Sequence, residues 1–438
     1  MAVKVAKFGG SSLADAAQIK KVGAIIRADE ARCFVVPSAP GKRHAEDTKV
    51  TDLLYEFQRR MEMLEDADEI FKQIFDRYTG IRDELNLHVD IESELATIYK
   101  DIRRGASADY AASRGEYLNA ILIADYLGYD FIDAADVIFF DNNEAYDPEK
   151  TLSVLPGALA LHERAVIPGF YGSLPAGGVK TFSRGGSDIT GSIVARAANA
   201  DLYENWTDVS GFLMADPRVV YKPRKIDVIT YRELRELSYM GATVLHEDSI
   251  FPVLEAAIPI NVKNTNDPAN PGTMILPEID SKAHGQTNIT GIAGKKNFTV
   301  VTLEKNGMNA EIGFGRKVLE CLEKFDLSFE HMPSSIDTIS IVLADTRIRG
   351  CVEELIDELH LVCGPDSIEV SSNMALIATV GRGMIRRVGV SARLFSALAA
   401  NKINVRMIDQ GSSEINIIVG VENDDFEDAV RAIYKALV

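Results

Sequence analysis

Lys7-Phe8-Gly9-Gly10-Ser11-Ser12 follows directly on an apolar run that begins at Val3. Val3–Phe8 reads as a buried strand, Gly9-Gly10 as a tight turn, and Ser12-x-x-Asp15 as a capping box that opens a helix reaching about Ala28. A lysine at a strand end, a glycine turn and a helix start together suit an anion. Glycines let backbone N–H groups approach it, and a helix N-terminus favours negative charge. The same pattern also serves as a plain turn, so its meaning depends on the rest of the chain.

Outward from this turn, strand and helix patterns alternate. Cys33–Pro37 reads as a strand and Ser38–Lys49 as a loop. Thr51–Arg104 is a charged, amphipathic helical stretch, and another helix runs through Tyr110–Leu127. Short buried strands are expected at Val137–Phe140, Ala165–Pro168, Ile258–Val262 and Thr273–Leu276. Ile189, Ile193, Val194 and Ala197 share a helical face, and Thr230-x-x-Glu233 opens a helix that Gly241 ends. Repeated βα units predict a largely parallel sheet covered by helices, with ligands beyond the carboxyl ends of its strands. Phe182–Thr190 holds a second glycine cluster. There Ser187 or Asp188 is the expected N-cap, and Arg184 offers a fork matching a carboxylate or phosphate. Trp206, the single tryptophan, reads as core, and Asp216-Pro217 as a turn.

Composition narrows the function. The 438 residues are too many for one core, and 46% hydrophobic with 26% charged residues is a soluble globular balance. A net charge of −18 disfavours nucleic acid as a partner. The four cysteines form no CxxC pair and the histidines no HExxH spacing, so no protein-ligated metal site is expected. No signal peptide or membrane-length apolar run is read, and a reduced, cytoplasmic protein is the expectation. GxxxxGK[ST], GxGxxG and the protein-kinase HRD and DFG motifs are all missing.

The last third repeats itself. At an offset of 76, Val300-Val301 falls on Leu376-Ile377, Met308 on Met384, Gly313 on Gly389, Leu322 on Leu398, and Ile339 and Ile341 on Ile415 and Ile417. Each unit reads strand, glycine turn, helix, strand, strand, helix. Ser367–Val370 can add a fourth strand to the first unit. The second ends at a helix, and Ile289–Ala293 is the expected source of its missing strand, which would interlock the two. The expected division is 1–280 for a first domain with a helical insertion at about 51–104, 281–288 for a linker, 298–370 for one repeat, and 289–297 plus 371–438 for the other.

Taken together, KFGGSS at Lys7–Ser12, SRGE at Ser113–Glu116, SRGGSD at Ser183–Asp188 and WTDVSGF with ADPRVV at Trp206–Val220 resemble the aspartate kinases of the amino acid kinase family. The loop Pro37–Lys42 and Val50-Thr51-Asp52-Leu53-Leu54 look like the longer-loop version, and the repeat looks like tandem ACT domains. The resemblance implies an αβα sandwich with a mostly parallel sheet, followed by two ferredoxin-like βαββαβ units. It implies ATP and Mg²⁺ as cofactors and phosphorylation of the L-aspartate side-chain carboxylate. The product, 4-phospho-L-aspartate, opens lysine, threonine and methionine synthesis.

By resemblance, Lys7 contacts the transferring phosphate, Asp188 orients it, and Gly9, Gly10 and Ser11 line the phosphates. Arg184 grips the aspartate α-carboxylate, Glu116 takes its α-amino group, and Ser38, Thr51, Phe170 and Ser187 complete the pocket. Thr207, Asp208, Phe212 and Arg218 fall on the nucleotide side. Leu213 stands where the family often has tyrosine, Thr243 replaces a nucleotide-facing lysine and Glu247 a proline, with Lys222, Arg224 or Lys225 as substitutes. The physics agrees with the main roles: aspartate offers one cation and two anions, and its carboxylate, ionised near pH 7, needs no general base.

ACT repeats imply feedback by an end product, lysine first and threonine as the alternative. The expected effector residues are Met308, Asn309, Glu311, Gly313 and Phe314 at the turn, with Ser328, Phe329, Glu330, Ser334 and Ser335 on the strand side. A homodimer or dimer of dimers through these units is expected. The competing readings are a non-catalytic amino-acid sensor and another acyl-phosphate-forming kinase of the same fold.

Overall fold

The strand that opens the chain, β1 (Lys4–Phe8), is almost wholly buried, as a central parallel strand must be. The computed structural model describes residues 2–183, 185–242, 245, 247–278 and 289–438. After β1 the chain makes a 3₁₀ turn, Gly10–Leu13, and enters α1 (Ala16–Arg27). Its cap is Asp15, whose carboxylate accepts the Gln18 N–H at 2.8 Å. Ser12, the expected cap, instead shares a buried hydrogen bond with Thr265, because the 3₁₀ turn shifts the helix start by one turn.

Next come β2 (Arg32–Pro37) and three helices that fill the expected insertion: α2 (Val50–Glu62), α3 (Asp68–Leu85) and α4 (Ile91–Arg103). Then follow α5 (Ala108–Leu127), β3 (Asp130–Phe131), α6 (Ala134–Val137), α7 (Pro148–Leu159), β4 (Ala165–Val166), β5 (Tyr171–Ser173) and β6 (Val179–Thr181). The set closes with α8 (Gly186–Ala197), β7 (Leu202–Thr207), β8 (Val228–Thr230), α9 (Tyr231–Tyr239), α10 (Phe251–Glu255), β9 (Ile260–Asn264) and β10 (Thr273–Leu276). The strand expected at Val137–Phe140 is a helical turn ending at Val137, followed by single bridges from Phe139 and Phe140. Asp133 caps that turn through the Ala135 N–H at 3.0 Å, a polar signal that the short apolar run outweighed.

Eight strands form one sheet in the order β3-β4-β2-β1-β7-β9-β10-β8. Neighbours are parallel except β9 and β10. Trp206 on β7 is core, as expected: it is stacked on Phe8, and its indole N–H donates to Glu204. Glu204 is itself paired with buried Arg32 at 2.6 Å. The insertion buries an apolar face, including Phe57, Ile74, Tyr78, Leu95 and Ile98, in a core shared with α1 and α5.

The chain makes two compact units. Met1–Phe212, Lys225–Leu234 and Thr243–Asp280 form one; Leu213–Arg224, Arg235–Ala242 and Ser281–Val438 form the other. The linker expected at 281–288 lies outside the described residues. The second unit contains β11 (Gly291–Glu304), α11 (Phe314–Lys324), β12 (Thr338–Ala344), α12 (Asp345–Ile348) and α13 (Val352–Cys363). It continues with β13 (Ser367–Val380), α14 (Val390–Ala400), β14 (Met407–Asp409), β15 (Asn416–Glu422) and α15 (Phe426–Leu437).

Its antiparallel sheet runs β12-β11-β13-β15-β14. The two repeats share the long strands: Phe298–Glu304 pairs with β12 and the start of β13, while Gly291–Lys296 pairs with Ala375–Val380 beside β15. Bulges follow Lys296 and Phe298, and Asn297 and Asn373 take φ of 70° and 66°, where one repeat passes into the other. The offset of 76 carries α11 onto α14 and Gly313 onto Gly389, which cap them at φ of 87° and 91°, conformations that favour glycine. It does not carry the strand pairing: Val301 faces Ile341, but Ile377 faces Val419 rather than Ile417. A slip of two residues keeps every side chain on its own face. Among the described residues no helix is long and apolar enough to cross a membrane.

Candidate active site

Lys7 reaches the cleft because β1 ends there. Its ammonium lies 2.5 Å from Asp188 Oδ1, in the first turn of α8. Asn205 Nδ2 donates to the same oxygen at 2.8 Å, and Asn205 is the register partner of Lys7 on β7. Lys7 and Asn205 are buried. The N-cap of α8 is Gly185, at φ 76°, rather than Ser187 or Asp188. That leaves the Asp188 carboxylate free of capping and available to Lys7. Asn205 was missed by sequence reasoning, and its only signal was its place one residue before Trp206.

The SRGE segment lies within α5. Ser113 Oγ accepts the Arg114 Nε and Nη2 donors at 3.1 and 3.0 Å. The Arg114 guanidinium lies over the rings of Tyr110, Tyr117 and Tyr171, at 4.8, 4.4 and 5.1 Å. Tyr78 donates to the Gly115 carbonyl at 2.7 Å. This packing fixes the rotation of α5, and Glu116 is thereby directed into the cleft. Glu116 is 5% exposed, and its Oε2 has no hydrogen-bond partner. Burial pushes its pKa up to about 8, opposed by the Ala39 N–H.

The loop between β2 and α2 is tied from several sides. Asn119 Nδ2 holds the Ser38 carbonyl at 2.7 Å. Buried Arg77 donates to the Gly41 carbonyl at 3.0 Å and to Asp47 at 2.7 Å. A hydrogen bond from Arg43 holds the Asp47 carboxyl far below the usual range, with Arg77 adding to it. Gly41 donates its N–H to Gly10 O at 2.8 Å, and a Cβ at Gly41 would lie 2.6 Å from the Gly10 carbonyl carbon. Gly41→Ala is therefore expected to displace the glycine turn. Stability should fall by about 1–3 kcal/mol, the usual cost of overpacking, and denaturant unfolding would check this.

Two adjoining chambers of about 500 and 590 Å³ result, and both are lined by Ser38, Lys49, Thr51 and Glu116. The first also holds Lys7, Phe170, Ser187 and Asp188. The second holds Gly9, Gly10, Ser11, Thr207 and Asp208. Phe170 sits at φ 83°, a costly conformation for a bulky residue. It is held there by its N–H bond to Thr190 Oγ1 at 3.0 Å and by the Phe182 N–H on its carbonyl at 2.8 Å. Lys49, Asp52 and Tyr55 line the first chamber but were not sequence candidates. Their signal was adjacency to Val50-Thr51-Asp52-Leu53-Leu54.

Phe212 is 2% exposed and packs in the core. Arg218 belongs to the second unit, is 88% exposed, and folds back on Asp216 at 2.6 Å because the intervening Pro217 makes a tight turn. Leu213 is also in the second unit. Lys225, a suggested substitute cation, donates to Asn270 at 2.7 Å. Arg184 and Thr243 lie outside the described residues.

In the second unit, the turn before α11 and the strand edge are joined by the Asn309 N–H on Ile336 O at 3.1 Å. Ser334 bridges Ile339, while Ser328, Phe329 and Ser335 are exposed and Glu330 half-buried. Met308 and Phe314 point into the core of the first repeat, so their side chains are packing residues. Glu311 is paired with both Lys305 and Lys317 at 2.6 Å. Arg406, the counterpart of Glu330, pairs with Glu422.

Residues 2–264 match the model of the amino acid kinase family, and 377–437 match an ACT domain. The chain is 39% identical to aspartokinase 3 of Bacillus subtilis, over 99% of this chain and 98% of that protein. It resembles the crystal structure of Clostridium acetobutylicum aspartate kinase with 54% identity and a TM-score of 0.89, covering 100% of both chains. Escherichia coli aspartokinase III, 26% identical over 99% of both chains, was solved with aspartate and ADP (TM-score 0.78) and with lysine and aspartate (0.74).

Proposed function

The chain belongs to the amino acid kinase family as one of its aspartokinases, and from that premise we propose that it transfers the γ-phosphoryl group of ATP to the side-chain carboxylate of L-aspartate. One observation carries this reading: the buried Glu116 carboxylate, whose Oε2 has no hydrogen-bond partner, is shared by two chambers, one of which holds the Lys7–Asp188 pair.

In this reading the first chamber takes aspartate. Glu116 receives the α-ammonium group, Arg184 is assigned the α-carboxylate by resemblance, and Ser38, Thr51, Phe170 and Ser187 shape the rest. The glycine turn of the second chamber receives the phosphates, with Gly9, Gly10 and Ser11 offering N–H groups and Thr207 the nucleotide side. A carboxylate oxygen of aspartate attacks the γ-phosphorus, the bond to the ADP oxygen breaks, and its electron pair leaves with ADP. No proton moves, so no general base is needed. Lys7 draws the two anions together, and Asp188 and Asn205 hold its ammonium in line.

Among the described residues no three His, Cys, Asp or Glu side chains are grouped to hold a metal. A single exposed carboxylate, Asp208, lines the nucleotide chamber. That suits Mg²⁺, which takes most of its ligands from phosphates and water. Asp208 would contribute to holding it, and the ion would neutralise phosphate charge.

The ACT repeats are proposed to carry feedback inhibition by lysine, with threonine as the alternative, at the Asn309–Glu311 turn and the Ser328–Ser335 edge. The names of the E. coli relatives, which include lysine sensitivity and a lysine complex, support this. Assembly through these repeats into a dimer or dimer of dimers is part of the proposal. Ile312 and Val388, repeat counterparts and both fully exposed, support it. Four unpaired cysteines suit a reduced, cytoplasmic setting.

The test is turnover of L-aspartate with MgATP, trapping the acyl phosphate with hydroxylamine, with and without lysine or threonine. Hydroxamate is expected. A saturating effector should weaken aspartate or nucleotide binding by about 5–150-fold, the range of ordinary allosteric coupling. No hydroxamate at any aspartate concentration would overturn the assignment.

A further inference from the structure

The proposed transfer brings together two anions, a carboxylate and a polyphosphate. Lys7 is poorly supplied to neutralise them, since its ammonium already lies 2.5 Å from the Asp188 carboxylate. Asp52 and Asp208 add further negative charge to the cleft lining. A cation without a carboxylate partner where the chambers join would add to the neutralisation that Lys7 and Mg²⁺ supply.

Lys49 stands at that junction, lining both chambers. It is the last residue before α2, with extended backbone at φ −64° and ψ 143°, and its carbonyl accepts the Leu53 N–H at 3.1 Å. The loop leading to it is anchored by Arg77 through Gly41 and Asp47. Its main chain is thus fixed while its side chain remains exposed. Among the described residues no carboxylate lies within ion-pair distance of its ammonium, whereas neighbouring Arg43 is paired with Asp47 at 2.9 Å.

We infer that Lys49 is a second catalytic cation, contacting the phosphoryl group in transit between the two chambers. This rests on the phosphotransfer reading above. In a loose transition state, charge spreads over the three equatorial oxygens of the transferring group. A lysine placed between donor and acceptor meets that charge and lowers the repulsion between the incoming carboxylate and the phosphate. Its interaction is strongest in the transition state, which is what raises kcat. Lys49 differs from Lys7 in its charge balance: Lys7 arrives neutralised and fixed, Lys49 unpaired and able to follow the phosphoryl group.

The test uses the full-length chain with Lys49→Met and Lys49→Arg. Wild-type turnover of aspartate is measured in parallel, so a failure of the phosphotransfer reading shows in the wild type and not in the variants. Lys49→Met should lower kcat by about 30-fold or more, somewhat below the loss of a fully buried preorganised donor. Lys49→Arg should recover most of it. Binding of MgADP with aluminium fluoride and aspartate, a mimic of the phosphoryl group in flight, should weaken in parallel with kcat. MgADP binding and the thermal midpoint should stay at wild-type values. Three results would each overturn the inference: kcat within about 3-fold of wild type, a loss expressed only as a raised aspartate KM, or a lowered kcat with unweakened binding of the fluoride complex.

Discussion

Lys7→Ala is expected to lower kcat by about 10²-fold or more, in line with the removal of a preorganised charged donor. The expectation follows from geometry. The ammonium is buried at the end of β1, 2.5 Å from Asp188, whose carboxylate is also held by Asn205. Substrate binding depends on other groups, so the aspartate KM should change far less than kcat. The substitution also strands a largely buried carboxylate beside a single amide donor, and thermal stability should fall as well, since an unpaired buried charge is costly. The double variant Lys7→Ala, Asp188→Asn separates the two effects: it should regain stability and remain inactive. Steady-state kinetics and thermal melts on both variants decide the matter. Activity of Lys7→Ala within a few-fold of wild type would remove Lys7 from the mechanism.

Glu116→Gln is expected to raise the aspartate KM by about 30-fold or more at pH 8, the low end of the usual cost of losing one partner of a desolvated charge pair. The wild type should show a distinctive pH dependence. Because burial holds the Glu116 pKa at about 8, the free enzyme is mostly protonated there at pH 7. In the proposed reading the substrate ammonium requires the ionised form, so aspartate binding at pH 7 should release a proton from this carboxyl group. Affinity should rise as pH climbs toward 8 and level off above it. Calorimetry in buffers of different ionisation enthalpy reads the proton count directly, and Glu116→Gln should abolish it. Release of no proton by the wild type would contradict the burial argument.

The same group bears on stability. Its folded pKa lies above the reference value of 4.5, so the native state keeps a proton that the unfolded chain gives up. That contribution is complete below about 4.5 and is lost as pH rises toward 8. Glu116→Gln should therefore flatten the fall in stability over this window, as denaturant titrations at several pH values would show.

Local signals were read well where the physics is local. The Lys7–Ser12 turn, the capping pair of Thr230 and Glu233, and the repeat offset linking Gly313 to Gly389 each depend on residues a few positions apart. The errors share a cause. Ser12 was taken as a cap because the sequence does not show the 3₁₀ turn, and Val137–Phe140 as a strand because a short apolar run fits either state. Asn205 and Lys49 were overlooked because neither has a distinctive neighbour pattern.

The sequence by itself determined the alternation of βα units, the glycine turn beside a lysine, the doubled C-terminal unit and the chemical types needed for aspartate: a carboxylate, an arginine and a lysine. These follow from hydrophobic period, from the φ that glycine permits and from charge, all written in consecutive residues. Only the tertiary structure decided which side chains act together. Register between β1 and β7 sets Asn205 beside Lys7, and the backbone contact of Gly41 with Gly10 closes the glycine turn. The stacking of Arg114 fixes α5, so that Glu116 is buried with an unmatched oxygen. Its ionisation depends on the water that folding removes, a property of the surrounding volume that the order of residues does not display.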